Sequence, residues 1–276
     1  MNSLLPLSRH LALLMALTLN CLHTPASAHA LEVPDNYRLV WADEFEGSGP
    51  PDPAKWVHDT HRNARGWYNN ELQYYSGPRA ENAERRDGTL VIRARREALQ
   101  GAADWGGQRY TSARLLTRGR GEWTYGFFEI RARMPCGKGT WPAIWTLGTG
   151  GRWPEDGELD ILEHMGHTPG RVSSAVHVAA GHAGQAFSAS TPLPTACSAF
   201  HRYQMHWTAD GVTFGVDGQA YVRYPRTDLG PRQWPFDRPQ FLLLNLAIGG
   251  DLGGPVDDSI FPAEFLIDYV RVYQRK

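Results

Sequence analysis

The sequence predicts an all-β protein, a sandwich or barrel of antiparallel strands in a single domain. Apolar and polar residues alternate over many short stretches, which is the pattern of strands with one buried face. No stretch sustains the 3.6-residue period of an amphipathic helix. The 29 glycines and 19 prolines are typical of short strands joined by tight turns.

Individual segments support this prediction along the chain. Residues 128–134 and 266–273 place apolar side chains on one face and charges on the other. Residues 242–248 are nearly all apolar, as expected for a strand covered on both faces. Asp-Gly pairs beside strand-like runs supply the positive φ of hairpin turns; they lie at 87–88, 210–211 and 217–218.

Composition and charge exclude several classes of protein. The 276 residues are 42% hydrophobic and 21% charged, which excludes a disordered chain or a coiled coil. Lys and Arg number 28 against 29 Asp and Glu, so the chain lacks the cationic excess of a nucleic-acid-binding protein. The 10 Trp, 11 Tyr and 10 Phe either fill a large β-core or line a groove for a ligand with flat apolar faces.

Residues 1–28 have the features of a secretory signal peptide, which leaves 29–276 as the mature domain. Arg9 supplies the positive charge, residues 11–19 the apolar run, and residues 26–28 a small-x-small cleavage site. The apolar run is too short to span a bilayer, and Cys21 lacks the small preceding residue of a lipid-anchoring site. Loss of Arg9 leaves 27 basic against 29 acidic residues, net −2. We expect a secreted or periplasmic protein with no membrane contact after signal removal.

Two cysteines remain in the mature chain, Cys136 and Cys197. In an oxidising compartment they are expected to form a disulfide, with two buried thiols as the alternative. Two cysteines do not form a zinc site without further ligands.

Three acids mark the candidate catalytic segment. Glu158, Asp160 and Glu163 lie within six residues and are separated by leucine and isoleucine. In a flat strand Glu158 and Asp160 share a face and Glu163 points to the other. One β-bulge after Asp160 returns Glu163 to the acidic face. A solvated acidic edge is the alternative, but the apolar spacers favour a core strand that faces a cleft.

Two carboxyl groups in a cleft suit glycoside hydrolysis. The two glutamates are about four strand steps, or ~13 Å, apart along the backbone. Their side chains reach inward, so the carboxyl groups can approach the ~5–5.5 Å separation of retaining enzymes. Asp160 adds negative charge that helps to keep Glu163 protonated and can hydrogen-bond the nucleophile. Calcium is disfavoured here, because calcium loops have Gly and Asn between their acids.

The chain resembles glycoside hydrolase family 16 in its laminarinase-type, bulge-containing form. Residues 158–163 match the signature E-x-D-x-x-E. Further matching segments occur in the family's order over nearly the whole mature chain, at 41–45, 68–75, 110–115, 139–145, 234–237, 244–250 and 269–273. The resemblance implies a β-jelly roll sandwich of two antiparallel sheets with a concave substrate groove.

The resemblance also implies residue roles and a reaction. Glu158 is the nucleophile, Glu163 the acid/base and Asp160 their assistant in hydrolysis with retention, for which no cofactor is required. Asn69 or Asn70 (the sequence leaves open which points inward), together with Arg114, contacts sugar on the non-reducing side.

Further candidates for substrate binding follow from residue type. Trp141 and Trp145 lie four residues apart and can present two indole faces to sugar C–H groups, the alternative being that both are core. Trp67 is either a groove wall or a core ring. His164 and His177 are placed near the cleft or are structural histidines, and we assign His177 to substrate binding.

A structural calcium ion is a secondary expectation of the resemblance. Family members often hold one on the convex face, with a carboxylate near the C-terminus and backbone carbonyls from N-terminal turns. The matching positions are Asp268 for the carboxylate and Glu44 and Gly88 for the carbonyls. Such a site would tie distant segments together and add stability rather than catalysis. The alternative is that Asp268 faces water.

The expected substrate is a β-glucan, and the expected enzyme is a monomeric endo-β-1,3-glucanase that acts on laminarin and mixed-linkage glucans. Related bulged signatures occur in agarases and carrageenases, so these substrates remain alternatives. The net charge of −2 gives no support for sulfated substrates, which call for a basic groove. A non-catalytic β-glucan-binding protein is a second alternative, disfavoured because this chain keeps both glutamates.

Overall fold

A computed structural model describes residues 30–226 and 230–276. The predicted signal peptide at 1–28 lies outside the described residues, and the division of the chain at residue 28 stays a prediction. Strands dominate the described part, which contains one short α-helix and three 3₁₀ helices. No described helix is long and apolar enough to cross a membrane.

The elements follow one another with short connections. The strands are β1 (Tyr37–Asp43), β2 (Val57–His58), β3 (Gln73–Tyr75), β4 (Ala83–Arg86), β5 (Thr89–Arg96), β6 (Tyr110–Ser112), β7 (Arg114–Leu116), β8 (Glu122–Trp123), β9 (Gly126–Arg133), β10 (Thr140–Gly148), β11 (Glu158–Glu163), β12 (Arg171–His177), β13 (Phe187–Pro192), β14 (His201–Thr208), β15 (Gly211–Val216), β16 (Gln219–Pro225), β17 (Gln240–Ile248) and β18 (Ala263–Arg275). The helices are α1 (Gly250–Gly253) and the 3₁₀ turns Asn63–Arg65, Ala183–Gln185 and Asp258–Ile260.

The strands form two sheets, which confirms the predicted sandwich. The ten-stranded sheet has the order β16-β15-β14-β9-β18-β5-β6-β3, with β1 on β18 and β4 on β5. The eight-stranded sheet has the order β13-β12-β11-β10-β17-β7-β2, with β8 on β17. Pairing is antiparallel except between β3 and β6. The order brings strands from both halves of the chain side by side, so the sheets form only when distant segments meet.

The hydrophobic core lies between the sheets. Strand β17 is buried at all nine positions, as its apolar sequence predicts. β10 lies along one edge, β7 and β8 lie along the other, and Leu242, Leu244, Leu246 and Ile248 pack into the core. On β11, Leu159 and Ile161 contribute to the core cluster with exposures of 0% and 2%. The strand with the candidate acids is therefore anchored by its alternate side chains.

The hairpin predictions are confirmed at two positions and shifted at the third. Asp87 and Gly88 have positive φ in the turn between β4 and β5, and Asp217 and Gly218 do so between β15 and β16. Gly211 instead opens β15, and the turn lies one residue earlier. The offset arises because the ladder between β14 and β15 already pairs Gly211 with a residue of β14.

A disulfide joins two connections at one end of the sandwich. Cys136 follows β9 and Cys197 precedes β14, and their Cα atoms lie 5.8 Å apart. The bond closes a loop with a sequence separation of 61 residues. The segment between the two cysteines contains β10 to β13 of the eight-stranded sheet. The disulfide therefore joins both ends of this segment next to β9 and β14, which pair with each other in the other sheet.

Candidate active site

A β-bulge in β11 places the three acids on one side of the eight-stranded sheet. Pairing between β11 and β12 jumps from Asp160 to Glu163, so that two residues of β11 lie opposite Ser174 alone. The bulge that the acid spacing predicted is therefore present. Gly157, with φ of +78°, leads into the strand, and a Cβ there would lie 2.5 Å from the ring of Phe236.

The same side of the sheet continues across four strands. Opposite residues in antiparallel strands share a face. The acids of β11 lie opposite alternate residues of β10, with Glu163 opposite Ala143. Ala143 lies opposite Asn245 on β17, and Asn245 lies opposite Arg114 on β7. We call this surface the groove face; its residues are Glu158, Asp160, Glu163, Trp141, Trp145, Asn245 and Arg114.

The hydroxyl groups of buried Ser174 and half-buried Tyr221 support the bulge. Ser174 Oγ donates to the carbonyl oxygen of Ile161 at 2.9 Å. Tyr221 Oη lies 2.5 Å from Ser174 Oγ and donates to it, because the serine proton is already used. Burial, with a contribution from the nearby Glu163 charge, raises the pKa of Tyr221 to about 12, so this phenol stays protonated. The pair satisfies a carbonyl that the disrupted ladder would leave unbonded.

Glu158 is held between an indole and an imidazole. Trp153 Nε1 donates to Glu158 Oε2 at 2.6 Å. His177 lies opposite Glu158 on β12, with Nε2 4.0 Å from Glu158 Oε1 and 3.1 Å from Asp160 Oδ2. The Trp153 ring packs at 6.1 Å from the His177 ring and is 49% exposed, so one indole both bonds to the acid and presents an open face.

A backbone amide sets the tautomer of His177. Ala183 N–H donates to His177 Nδ1 at 3.1 Å. The neutral ring therefore carries its proton on Nε2, directed towards Asp160 and Glu158. Ala183 has φ of +49°, a conformation that L-residues rarely adopt, and it lies in the turn that presents this amide.

Glu163 accepts a hydrogen bond from a second indole. Trp141 Nε1 lies 3.2 Å from Glu163 Oε1. The two glutamates thus each have an indole donor, one from β10 and one from the turn before β11. Trp141 is 7% exposed and lies outside the core cluster of the described residues. It therefore lies on the groove face, where it supports Glu163.

Burial raises the pKa of all three acids. Desolvation, followed by the charge of Asp160, holds the pKa of Glu158 well above its usual range. Desolvation and the charge of Glu163 do the same for Asp160. Desolvation also raises the pKa of Glu163, opposed by His177 and by the Trp141 hydrogen bond. The site therefore favours shared protons over three full charges, which supplies both a carboxylic acid and a carboxylate.

A one-directional chain of hydrogen bonds lies beneath the groove face. Trp145 Nε1 donates to Asn245 Oδ1 at 2.7 Å, and Asn245 Nδ2 donates to Tyr75 Oη at 3.0 Å. Tyr75 Oη in turn donates to Glu71 Oε2 at 3.3 Å. Trp145 is therefore fixed in orientation and, like Trp141, lies outside the core cluster of the described residues.

Arg114 lies between two indoles on the groove face. Its guanidinium carbon is 4.7 Å from the Trp145 ring and 5.2 Å from the Trp67 ring. Arg114 Nε pairs with Asp59 Oδ2 at 2.9 Å, and both side chains are below 10% exposure. Trp67 is 5% exposed behind Arg114, with Nε1 bonded to Asn63, so it supports Arg114 from below.

The predicted asparagines lie at the edge of this surface. Asn69 and Asn70 are exposed and both have left-handed backbones, with φ of 54° and 58°. Asn70 Nδ2 donates to Asp251 Oδ1 at 2.7 Å. The side chain of Asn69 has no such partner in the described part of the chain, so it is the one of the two that is free for a ligand.

His164 is not among the cleft residues. It is fully buried on the side of β11 away from Glu163, with Nε2 3.2 Å from the carbonyl oxygen of Pro169 and 4.0 Å from Cys197 Sγ. The structural alternative for this histidine is therefore the one observed, because the bulge directs Glu163 to the groove and the next residue to the interior.

The two acidic side chains among the positions predicted for calcium pair with arginines. Glu44 forms a two-point pair with Arg271, both contacts at 2.9 Å, and Asp268 pairs with Arg131. Gly88 lies in the turn after β4. Calcium takes six to eight oxygen ligands. The Asp268 carboxylate is engaged by Arg131, whereas the resemblance assigns Glu44 and Gly88 through backbone carbonyls, which the Glu44–Arg271 pair does not involve. Calcium binding stays a prediction of the resemblance.

Three functional positions escaped sequence reasoning. Trp153 carried a signal, an indole five residues before the first acid, but its bond to Glu158 depends on the turn between them. Asp59 and the Ala183 amide carried no signal in the sequence, because the residues that they contact, Arg114 and His177, lie on strands elsewhere in the chain. Their partners become neighbours only through sheet register.

The sequence matches one family model and is similar to known glucan-degrading enzymes. Residues 69–270 match the family model of the Glycosyl hydrolases family 16. The chain is 46% identical to the beta-glucanase of Rhodothermus marinus over 253 residues, 87% of this chain and 86% of that protein. It is 36% identical to a glucan endo-1,3-beta-glucosidase of Cryptopygus antarcticus, covering 80% of this chain and 84% of that one.

Solved structures agree with these sequence matches. SCLam, a non-specific endo-beta-1,3(4)-glucanase, superposes with a TM-score of 0.87 at 45% identity, covering 90% of this chain and 95% of that one. A substituted SCLam, co-crystallised with 1,3-beta-D-cellobiosyl-cellobiose, presents 1,3-beta-D-cellobiosyl-glucose at its active site and superposes with a TM-score of 0.86 at 45% identity, covering 90% of this chain and 98% of that one. The two-sheet fold, the bulged acidic strand and these matches have one explanation, that the chain belongs to glycosyl hydrolase family 16.

Proposed function

We propose that the protein is a secreted, retaining endo-β-glucanase that hydrolyses β-1,3-glucans of the laminarin type and mixed-linkage glucans. The observation that carries this proposal is the bulge in β11, which brings Glu163 onto the face of Glu158 and Asp160. Relatives that act on β-1,3- and β-1,3(4)-glucans support the substrate class.

In the first step Glu158 is the nucleophile and Glu163 the acid. A Glu158 carboxylate oxygen bonds to the anomeric carbon while the glycosidic C–O bond breaks, its electron pair leaving with the oxygen. Glu163 gives its proton to that oxygen, so the leaving sugar departs neutral. Burial acts on both glutamates in the same direction, so these roles rest on the order of the acids in the family signature.

In the second step Glu163 acts as a base. It takes a proton from water, whose oxygen bonds to the anomeric carbon as the bond to Glu158 breaks. Two inversions restore the original β configuration. The Trp153 N–H stabilises Glu158 as the carboxylate that leaves. The whole cycle uses side-chain carboxyl groups of this chain.

Binding residues extend from the acids along the groove face. Trp145 and Arg114 present an indole face and a cation, which suit a sugar with apolar C–H faces and hydroxyl edges. The free Asn69 amide lies further out. These groups lie to one side of the acids, and the family resemblance implies that they hold the sugar on the non-reducing side of the cleaved bond.

The test is a panel of laminarin, lichenan, agarose and carrageenan with analysis of products. We expect short oligosaccharides from laminarin, with the β anomer formed first in proton NMR. Glu163→Gln should lower kcat about 10²–10⁴-fold, the usual contribution of a general acid. Glu155→Gln is the matched control, because Glu155 is an exposed acid three residues before Glu158.

Other outcomes would replace the proposal. Release of products from agarose or carrageenan alone would change the substrate. Binding to curdlan with no reducing sugar released would identify a non-catalytic β-glucan-binding protein. Unchanged turnover in Glu163→Gln would remove its role as acid/base.

Export and monomeric state are part of the same proposal. The signal-peptide features of residues 1–28 support export, and a groove face built from one chain supports action as a monomer. Amino-terminal sequencing of the protein recovered outside the cytoplasm is expected to begin at residue 29, and light scattering is expected to give the mass of one mature chain. A chain that retains residues 1–28, or a dimer mass, would contradict these points.

A further inference from the structure

A large exposed aromatic side chain lies beyond the predicted binding residues. Tyr68 is 51% exposed and precedes Asn69 in the loop between the 3₁₀ turn Asn63–Arg65 and β3. Among the described residues it is the most exposed of the large hydrophobic side chains. Neither the core nor the proposed catalytic steps use this ring.

A row of rings and cations connects Tyr68 to the groove face. Arg114 lies between the rings of Trp145 and Trp67, the Trp67 ring packs at 5.3 Å from His61, and His61 lies 6.5 Å from Tyr68. Arg114 and Trp67 are buried and Trp145 is half-buried, whereas the His61 side chain is 56% exposed. The row therefore starts on the groove face and ends as an open surface.

Arg62 supports the Tyr68 ring from one side. Its guanidinium carbon lies 4.3 Å from the ring centroid, and its Nε donates to the carbonyl oxygen of Gly66 at 3.1 Å. A cation over an aromatic face is attracted by the ring quadrupole. In the described part of the chain the terminal N–H groups of Arg62 have no hydrogen-bond partner. The Tyr68 ring and the Arg62 guanidinium thus form one surface with an apolar part and a part that offers hydrogen-bond donors.

The loop that carries Tyr68 is fixed in place. Glu71 N–H donates to the Tyr68 carbonyl oxygen at 3.1 Å across a turn whose two central residues are left-handed. The amide of Asp251, next to β17, donates to the Asn69 carbonyl oxygen at 2.9 Å. A side chain on an ordered loop loses little conformational entropy when a ligand covers it.

We propose that Tyr68 and Arg62 form an outer saccharide-binding platform. It would bind one glucose unit of a β-linked glucan whose inner units lie at Glu158 and Glu163. The proposal rests on the proposed function and extends it to the length of substrate recognised. A sugar ring would stack on the Tyr68 face not covered by Arg62, with a hydroxyl accepting from the guanidinium. β7 is three strands from β11, or about 14 Å at ~4.8 Å per strand, so only longer oligosaccharides reach the platform.

The test measures binding in a chain silenced by Glu158→Gln. Isothermal titration with laminaribiose, laminaritetraose and laminarihexaose gives affinity as a function of length. Adding Tyr68→Ala should weaken laminarihexaose binding about tenfold, which corresponds to about 1.4 kcal/mol, and the loss should shrink as the ligand shortens. Tyr68→Phe keeps the ring and should keep the affinity. Leu39→Ala, at a 49% exposed apolar residue on the other sheet, is the control.

The outcomes separate this proposal from the broader one. If wild-type protein cleaves laminarin but Tyr68→Ala binds laminarihexaose as tightly as its parent, the platform is wrong and the proposed function stands. An equal loss at every ligand length would also overturn it, because that result means a disturbed groove rather than an outer contact. If no laminari-oligosaccharide binds the silenced chain and wild-type protein does not cleave laminarin, both proposals fail.

Discussion

The two candidate glutamates accept hydrogen bonds from indole donors that come from different elements. Trp153 precedes β11 and bonds to Glu158, whereas Trp141 lies on β10 and bonds to Glu163. An N–H donor stabilises a carboxylate more than a carboxylic acid. Each indole therefore lowers the pKa of the one acid that it contacts, within a set of acids that share protons.

Trp141→Phe should shift the alkaline limb of the pH–rate profile to higher pH. The Trp141 hydrogen bond lowers the pKa of Glu163, against the larger effect of burial. Its removal raises that pKa, and the acid then stays protonated to higher pH before activity is lost. The measurement is kcat/KM for laminarin against pH. Trp145→Phe is the matched control, because the Trp145 N–H bonds to Asn245 and not to an acid; a limb that moves equally in both variants would contradict the assignment.

Glu158→Gln should stabilise the fold at neutral pH while abolishing turnover. Burial and the Asp160 charge raise the folded-state pKa of Glu158 above its unfolded value. Such an acid destabilises the folded protein once pH exceeds the unfolded pKa, because the unfolded chain then releases the proton more readily. The gain is expected to be roughly 0.5–2 kcal/mol, as for other stabilising changes at functional sites.

The stability measurement needs two pH values. Melting at pH 7 should show the gain for Glu158→Gln. At a pH below the unfolded pKa the wild-type Glu158 carboxyl is protonated in both the folded and the unfolded state, so the gain should vanish. Glu155→Gln changes an exposed acid and should show no gain at either pH. A Glu158→Gln chain that is less stable than the wild type at pH 7 would contradict this prediction. It would mean that the contacts of the Glu158 carboxylate fully offset the cost of burying its charge.

At the scale of elements, the bulge in β11 is the feature that makes the site. Without it, strand alternation would direct Glu163 into the core. Ser174 and Tyr221 donate in series to the Ile161 carbonyl, so they fix the bulge from a neighbouring strand and from the opposite sheet. These residues are positioning residues, because they act on the reaction only through Glu163.

Ser174→Ala should lower kcat with little change in KM. One lost hydrogen bond is worth about 0.5–1.5 kcal/mol, or roughly twofold to tenfold in rate. Melting temperature should fall only slightly, since the Ser174 backbone stays in β12. Ser188→Ala, an exposed serine on the adjacent strand β13, is the control. A change in KM alone would show that Ser174 affects substrate binding instead.

The spacing of the acids was sufficient to predict strand, bulge and shared face. Period-2 alternation assigns Glu158 and Asp160 to one side, and only an added residue brings Glu163 to join them. The neighbours of these acids were not predictable in the same way. His177 faces Asp160 because of the register between β11 and β12, and its tautomer depends on an amide in a separate turn. Such contacts are properties of the assembled sheet and leave no local pattern.

At the scale of the whole molecule, the disulfide Cys136–Cys197 is the one covalent link between distant segments of the described chain. Cys197→Ser should lower the free energy of unfolding by about 2–4 kcal/mol, the usual effect of losing a crosslink over a long loop. Calorimetry of the wild type with and without a thiol reductant provides the comparison. A wild-type melting temperature that reductant does not change would show that the bond is absent or contributes nothing.

The two-sheet architecture followed from alternation, turns and motif order, whereas the strand order within the sheets did not. β17 lies between β10 and β7, which are its neighbours in space but more than 90 residues away in sequence. Hydrophobic patterning fixes which face of a strand is buried, but it does not identify the partner strand. The family resemblance predicted the jelly-roll sandwich but no strand order, and residue patterns alone allow several orders.

The hydrogen bonds from Trp145 through Asn245 and Tyr75 to Glu71 have a consequence for folding. Asn245 and Tyr75 are 170 residues apart, so the support beneath the indole exists only after the early and late parts of the chain have docked. Contacts of such long range form late, after the local hairpins. A chain in which only the local pairing of β11 with β10 and β12 has formed would contain the acidic strand but lack a finished binding surface. The gain of oligosaccharide affinity would therefore mark the last stage of maturation.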